Sequence, residues 1–327
     1  MTNAAVSKRD LTLAAERIKG HAVRTPLLRS ALLDERTGAR VFLKAECLQL
    51  TGSFKFRGAF NRLSALDADQ RRCGVVAFSS GNHAQGVARA ARLLSLPAAI
   101  VMPRDAPQVK VDRTSADGAE IIFYDRLSES REEIAAAEAE KRGAVLVPSF
   151  DDPFIVAGQG TAGLEAKEQL AELGLVADLA VVCCGGGGLS SGIATAMPEA
   201  QVVLAEPEGY DDAGRSLVAG KIEPVRKPGP TLCDALQTLE IAPLTYGILA
   251  EREARGIAVS DQEVMAAMRF AFSELKLVVE PGGAAALAAL LAGKIDVQGR
   301  AVMATLSGGN VDAKLFASII GDDAPKG

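Results

Sequence analysis

The sequence predicts an α/β protein of two lobes, built from parallel-rich twisted sheets covered by helices. Three observations predict it. Short β-branched runs alternate with Ala-, Glu-, Arg- and Lys-rich helical stretches through most of the chain. The runs are near-continuously apolar, as strands buried on both faces of a parallel sheet are. The most Gly- and Ser-rich turns follow the carboxyl ends of those runs, where open α/β sheets form their sites.

Taken in order, strands are expected at 39–46 (ARVFLKAE), 74–80 (GVVAFSS), 98–103 (AAIVMP), 120–125 (EIIFYD) and 144–149 (AVLVPS). Further strands are expected at 178–184 (DLAVVCC), 201–207 (QVVLAEP), 256–260 (GIAVS) and 301–307 (AVMATLS). Helices are expected between them, among others at 83–95, 128–141 and 163–173. The βα-type units within 74–150 predict a small mobile lobe over 71–150. It interrupts a large lobe made of 1–70 and 151–327, with a cleft between the two.

A chain of 327 residues is long enough for this plan. Its 48 % hydrophobic and 24 % charged residues are those of a globular protein. Aromatic residues are only 4 %, with no Trp, which favours close helix–sheet packing over an aromatic binding surface. A net charge of −5 and the lack of any basic run argue against nucleic acid as a partner. The polar N-terminus has no apolar core of a secretory signal, and no apolar stretch reaches the ~18–20 residues of a membrane span. A cytoplasmic protein is therefore expected. Five cysteines, two of them adjacent, do not suggest a disulfide framework, and two histidines without nearby cysteines do not suggest zinc.

Several short stretches can carry chemistry. In TGSFKFRGAF (51–60), Lys55 stands between Phe54 and Phe56. It either snorkels to water or is held in a pocket because its amine reacts. In VVCCGGGGLSSG (181–192), a buried strand runs through Gly185, Gly186, Gly187 and Gly188 into a helix start. Glycines there let backbone amides close on a phosphate. FSSGNHAQGVA (78–88) is a strand end followed by Ser79, Ser80, Gly81, Asn82 and His83; helix capping accounts for one of these residues, not for the run. ATLSGGNVD (304–312) is a similar turn, ordinary by itself. In LAEPEGYDDAG (204–214), carboxylates after a strand suit a hard cation or simply a solvated face. GQGTAG (158–163) satisfies the G-x-G-x-x-G pattern of a nicotinamide-dependent oxidoreductase, but no clear strand precedes it.

Together these stretches resemble the serine/threonine dehydratase and serine racemase family of pyridoxal-phosphate enzymes, which have a tryptophan synthase β-like fold. The resemblance runs in order through SFKFRGA, SSGNHAQG, VAGQGTAGLE, CGGGGLSSG, AEPEG and LSGGNVD and covers nearly the whole chain. It implies a cofactor in the interlobe cleft, with Lys55 as its Schiff-base lysine and later the general base for the α-proton. It implies that Phe54 packs on the cofactor ring, that Gly185 to Gly188 hold the phosphate, and that Asn82 bonds the phenolic oxygen. Ser307 would face the pyridine nitrogen, and a neutral hydroxyl there leaves that nitrogen largely unprotonated, which favours elimination. Ser79, Asn82 and His83 would hold the substrate carboxylate.

The resemblance also assigns Ser80 as the base on the opposite cofactor face in racemases, and Arg131 as a lobe residue that reaches substrate; Arg131 read alone is equally an exposed helix arginine. It implies a structural Mg²⁺, Mn²⁺ or Ca²⁺ held by Glu206, Asp212 and the carbonyl of Tyr210. The expected reaction is an ammonia-lyase (dehydratase) step that turns a 3-hydroxy amino acid of the L-serine or L-threonine type into a 2-oxo acid and ammonia. A 3-hydroxyaspartate dehydratase and a serine racemase are the alternatives. Family members are often homodimers. The chain stops soon after LSGGNVD, so control by a C-terminal regulatory domain is not expected.

Overall fold

The computed structural model describes residues 6–106 and 108–321. The chain opens with α1 (Lys8–Ile18), β1 (Leu27–Arg29), α2 (Ala31–Thr37), β2 (Arg40–Lys44), α3 (Lys55–Ser64) and α4 (Ala68–Cys73). There follow β3 (Val75–Phe78), α5 (Asn82–Leu94), β4 (Ala98–Pro103), α6 (Gln108–Ala116), β5 (Glu120–Tyr124), α7 (Arg131–Arg142) and β6 (Val145–Leu146). The next stretch holds α8 (Pro153–Glu172), β7 (Leu179–Cys183), α9 (Gly188–Ala196), β8 (Gln201–Pro207), α10 (Asp212–Ala219) and α11 (Pro243–Glu251). The chain ends with β9 (Arg255–Val259), α12 (Asp261–Leu275), α13 (Pro281–Leu291), β10 (Ala301–Thr305) and α14 (Ala313–Gly321).

Two sheets result, in strand orders β1-β2-β10-β7-β8-β9 and β5-β4-β3-β6. Among the described strands every pairing is parallel except β1 with β2. Each expected strand is present. β1 is an addition to them, and the expected strand at 144–149 shrinks to Val145–Leu146. Beyond it, Val147 still donates to the carbonyl of Val76, but its own carbonyl lies 2.9 Å from His83 Nε2 instead of continuing the ladder.

Side-chain alternation along the strands divides the core. In the larger sheet Val41, Leu43, Val181, Val302 and Ala304 point to one face, against α12 and α13. Phe42, Ala180, Val182 and Met303 point to the other, against α1, α8 and α9. In the smaller sheet Val75, Ala77, Ile100 and Met102 pack with α3 and α5, while Val76, Ala99 and Val101 pack with α7. Helix starts are fixed by side-chain caps: Ser7, Asp67 and Ser260 form capping boxes, and Ser130 and Asp152 accept first-turn amides.

The GQGTAG stretch lies inside α8 and serves packing. A β-carbon on Gly158 would sit 2.6 Å from the carbonyl oxygen of Arg57 and 2.8 Å from Gly58 Cα on α3. One on Gly160 would sit 2.8 Å from Gly192 Cα on α9. The pattern therefore records two close helix crossings, not a strand-to-helix phosphate turn, and the oxidoreductase alternative loses its only motif.

Candidate active site

Lys55 is the first residue of α3, and three features hold it in place. The amide of Phe54 donates to the carbonyl of Ser307 at 3.2 Å, and Ser53 forms an isolated bridge with Gly308. Two residues on, the Arg57 guanidinium is wholly buried and reaches Glu46 and Glu165 at 2.7–2.8 Å. Glu165 also takes the buried Lys44 ammonium at 2.7 Å. The whole cluster carries two positive and two negative groups, so it is neutral and anchors the helix from below.

Among the described residues the Lys55 amine has no acidic partner. It donates to the carbonyl of Ser149 at 2.9 Å and lies 5.1 Å from the centre of the Phe54 ring. Burial pushes its pKa down to about 8, so roughly a tenth is neutral and nucleophilic at pH 7, far more than for an ordinary lysine.

The tetraglycine turn bridges β7 and α9. Gly187 has φ of +83° and stands at the helix N-cap, where glycine is favoured. The Gly186 carbonyl accepts from Thr245 Oγ1 at 2.8 Å, and the Gly187 carbonyl accepts from the amide of Ser191 at 2.8 Å. In planar trans peptides the amides of Gly187 and Gly188 then point the opposite way. They join the unbonded first-turn amides of α9, an arrangement suited to an anion. Phe150 packs directly on Gly186 and Gln159 on Gly188, so a β-carbon at either place would collide.

Asn82 opens α5 and links the two sheets. Its Nδ2 donates to Glu280 Oε1 at 2.6 Å, and its Oδ1 accepts from Asn310 Nδ2 at 2.8 Å. His83 is buried; burial first, and then the Lys55 charge, lower its pKa to about 3. Nε2 lies against a carbonyl and must carry the proton, which leaves Nδ1 buried without a partner. Ser53 Oγ and Gln159 Oε1 are likewise buried and unpaired. Buried polar atoms are seldom left so, and these three stand around Lys55 and the glycine turn. Ser307 is buried, its amide on the carbonyl of Gly283 at 3.2 Å.

Residues 18–308 match the pyridoxal-phosphate dependent enzyme family. The chain belongs to that family. It is 48 % identical over 318 residues to an L-threo-3-hydroxyaspartate ammonia-lyase of Pseudomonas sp, covering 96 % of this chain and 98 % of that one. It is 41 % identical over 315 residues to the serine racemase of Schizosaccharomyces pombe, covering 95 % and 96 %. Its fold superposes on a T.th. threonine deaminase with a TM-score of 0.87 at 44 % identity, covering 94 % and 99 %. The desolvated amine, the glycine turn with its free amides and the unpaired polar atoms fit pyridoxal phosphate, the cofactor of this family.

The remaining expected residues lie on two sides of this centre. Ser79, Ser80 and Arg131 line one small cavity, with the Arg131 guanidinium 5.5 Å from the Phe78 ring centre and ion-paired to Glu132 at 2.7 Å. Glu206 and Asp212 are buried neighbours. Glu206 accepts the amides of Ala213 and Gly214 at 3.0 and 2.8 Å, and Asp212 accepts the amide of Ile241 at 2.7 Å. Burial raises both carboxyls, Asp212 to about 6, and the Asp212 charge raises Glu206 further. The Tyr210 hydroxyl donates to the carbonyl of Gly229. Among the described residues no cluster of three or more His, Cys, Asp or Glu side chains could hold an ion, so a site here depends on a backbone carbonyl. No described helix is long and apolar enough to cross a membrane.

A larger cavity of about 300 Å³ lies elsewhere, lined by Thr51, Gln85, Arg89, Arg113, Asp117 and Asn310 among others; none of the residues expected to hold cofactor or substrate lines it. Sequence reasoning missed Glu280, whose carboxyl burial raises to about 7 and which bonds Asn82. Its only local signal is its place before Pro281-Gly282-Gly283, at a helix start. Asn310 lies within LSGGNVD, where the sequence alone gives it no role; it also donates to the carbonyl of Thr51 at 2.7 Å.

Proposed function

We propose that this chain is a pyridoxal-phosphate-dependent ammonia-lyase that converts a 3-hydroxy amino acid into a 2-oxo acid and ammonia. The observation that carries the reading is Lys55: a desolvated amine without an acidic partner, beside a glycine turn whose amides suit a phosphate. The cofactor, when bound, supplies an aldehyde for amines and a ring that stabilises negative charge at the substrate α-carbon. The chain supplies the rest. Lys55 Nζ, a desolvated amine, would take the α-proton as general base. Ser79, Asn82 and His83 hold the substrate carboxylate, the last through its first-turn amide, since the neutral ring has no free proton to offer. Phe54, Asn82 and Ser307 would hold the cofactor ring: Phe54 as an apolar support, Asn82 as a hydrogen-bond partner, and Ser307 as a neutral hydroxyl that does not protonate it. The β-hydroxyl leaves as water after protonation, and a second water releases the oxo acid and ammonia.

The two sheets support a division into a lobe of 71–150 and a lobe of 1–70 with 151–327, with the site between. Two adjacent buried carboxylates support a divalent cation on Glu206, Asp212 and the Tyr210 carbonyl. It would act structurally, at the end of β8. Ser80 supports a second reading, serine racemisation, because its turn offers a hydroxyl beside Asn82.

The test is release of 2-oxo acid and ammonia by the holoenzyme from L-serine, L-threonine and L-threo-3-hydroxyaspartate, with D-serine formation measured alongside. Lys55→Ala is expected to lose turnover and the near-visible absorption band together. Turnover that survives Lys55→Ala, or no 2-oxo acid from any substrate, would sink the reading.

A further inference from the structure

The small cavity beside Ser79 and Ser80 has a residue that neither the reaction nor the sequence motifs claimed. It measures about 40 Å³ and is lined by Ser79, Ser80, Tyr124, Arg126 and Arg131, with Val101 and Pro103 as its floor. This is room for a carboxylate-sized group, well beyond a single water. It lies beyond the carboxyl ends of β3, β4 and β5, where parallel sheets place ligands.

Two guanidinium groups meet there, and both are lightly committed. Arg126 sets Nε and Nη2 on a single oxygen of Asp105 at 2.9 Å, in a pair whose side chains are 52 % and 65 % exposed. Arg131 spends Nε on the adjacent Glu132, also exposed, while the Phe78 ring supports its plane. Exposed pairs of this kind contribute little, so either guanidinium can turn to another carboxylate at small cost. The nearby acids Asp125 and Glu129 are occupied by the backbone of their own loop, through the amides of Leu127 and Asp125. Ser79 is fixed by its amide on the carbonyl of Val101 and by accepting the amide of Gly81.

We infer that this cavity receives the second carboxylate of a dicarboxylic hydroxy amino acid, with Arg126 as a specificity-determining residue acting beside Arg131. The inference rests on the ammonia-lyase reading above. Ser79 and Ser80 are shared between the turn that takes the α-carboxylate and this cavity, and the two acids of 3-hydroxyaspartate are separated by only two carbons. A planar guanidinium fork matches the second acid, whereas the hydrogen of serine or the methyl of threonine reaches nothing charged.

The measurement is the ratio of kcat/KM for L-threo-3-hydroxyaspartate to that for L-serine. Arg126→Met is expected to lower it about 10- to 100-fold, as loss of one charged hydrogen bond does, chiefly through KM. Arg126→Lys keeps the charge without the fork and falls less; Arg126→Gln repeats the comparison with a polar side chain. A ratio within twofold of the parent overturns the inference. A second readout needs no turnover: succinate should raise the melting temperature of the parent holoenzyme more than butanoate does, and Arg126→Met should erase that difference. Equal shifts by the two acids, or a difference that survives Arg126→Met, overturn the inference as well. Failure to release 2-oxo acid would overturn the ammonia-lyase reading instead, and the succinate comparison would still decide the cavity.

Discussion

Replacing Arg57 with methionine keeps most of the side-chain volume under Lys55 and deletes the charge. Glu46 then keeps only the Thr25 hydroxyl at 2.6 Å, while Glu165 retains Lys44. A buried carboxylate that has lost its partner costs about 3–5 kcal/mol. For a chain of this length, an unfolding entropy of about 2 cal/mol/K per residue gives roughly 0.7 kcal/mol for each degree of melting temperature. The expected fall is therefore about 4–7 °C, read by calorimetry on the holoenzyme at one scan rate. The double variant Arg57→Met/Glu46→Gln removes the stranded charge and should recover part of that fall, although each substitution deletes a partner. Non-additivity of this kind is what a shared ion network produces. An Arg57→Met protein melting within 2 °C of the parent, or a double variant no better than the single, would refute the argument.

Three further outcomes are expected. Attachment of pyridoxal phosphate to the apoprotein, trapped by borohydride, should accelerate as pH rises through about 8 and then level, since Lys55 must be neutral to react. The same depressed pKa means that this lysine costs the apoprotein stability below about 8, a cost that disappears as pH climbs toward the ordinary value of 10.5; denaturant midpoints across that window would show it. Gly186→Ala drives a methyl into the Phe150 ring and should weaken the cofactor about tenfold or more in equilibrium titration, with partial recovery when Phe150 is reduced to leucine. Mg²⁺ should raise the melting temperature of chelator-treated protein, and Glu206→Gln should abolish the rise; indifference of the parent to both chelator and Mg²⁺ would remove the cation from the picture.

Strands, the helices between them and the glycine turns were legible because each is a local pattern: an apolar run, a periodic stretch, a small-residue turn at its end. β1 was not, since three residues pairing antiparallel with β2 leave no periodicity to read. GQGTAG matches a phosphate-turn pattern for a related reason, and only the lack of a preceding strand speaks against it in the sequence. Small residues at helix crossings follow the same spacing as a phosphate turn, and in the folded chain the neighbouring helices distinguish them. Lys55 stands out in the sequence as a lysine between two phenylalanines, and Asn82 and Ser307 as members of small-residue turns, while their roles come from the family resemblance alone. Glu280 and Arg57 do not stand out: Glu280 bonds Asn82, 198 residues away, and Arg57 joins Glu46, 11 residues away, to Glu165, 108 residues away. Arg126 sits in a loop without a motif, and only the folded ends of β4 and β5 bring it to Ser80.

The smaller sheet is a single uninterrupted stretch of chain, entered after α3 and left before α8, and the contact of those helices at Gly58 and Gly158 sets its two ends side by side. Such a stretch is a cassette. The strands of the larger sheet all lie outside it, and the two parts are tied by side-chain bonds such as Asn82 to Glu280 and Lys110 to Asp234. Ser79, Ser80, Arg126 and Arg131 would travel with it, whereas Lys55, the glycine turn and Ser307 would stay behind. Asn82 and the Ser149 carbonyl that holds Lys55 would travel too, so the stretch carries substrate contacts together with part of the lysine's own setting.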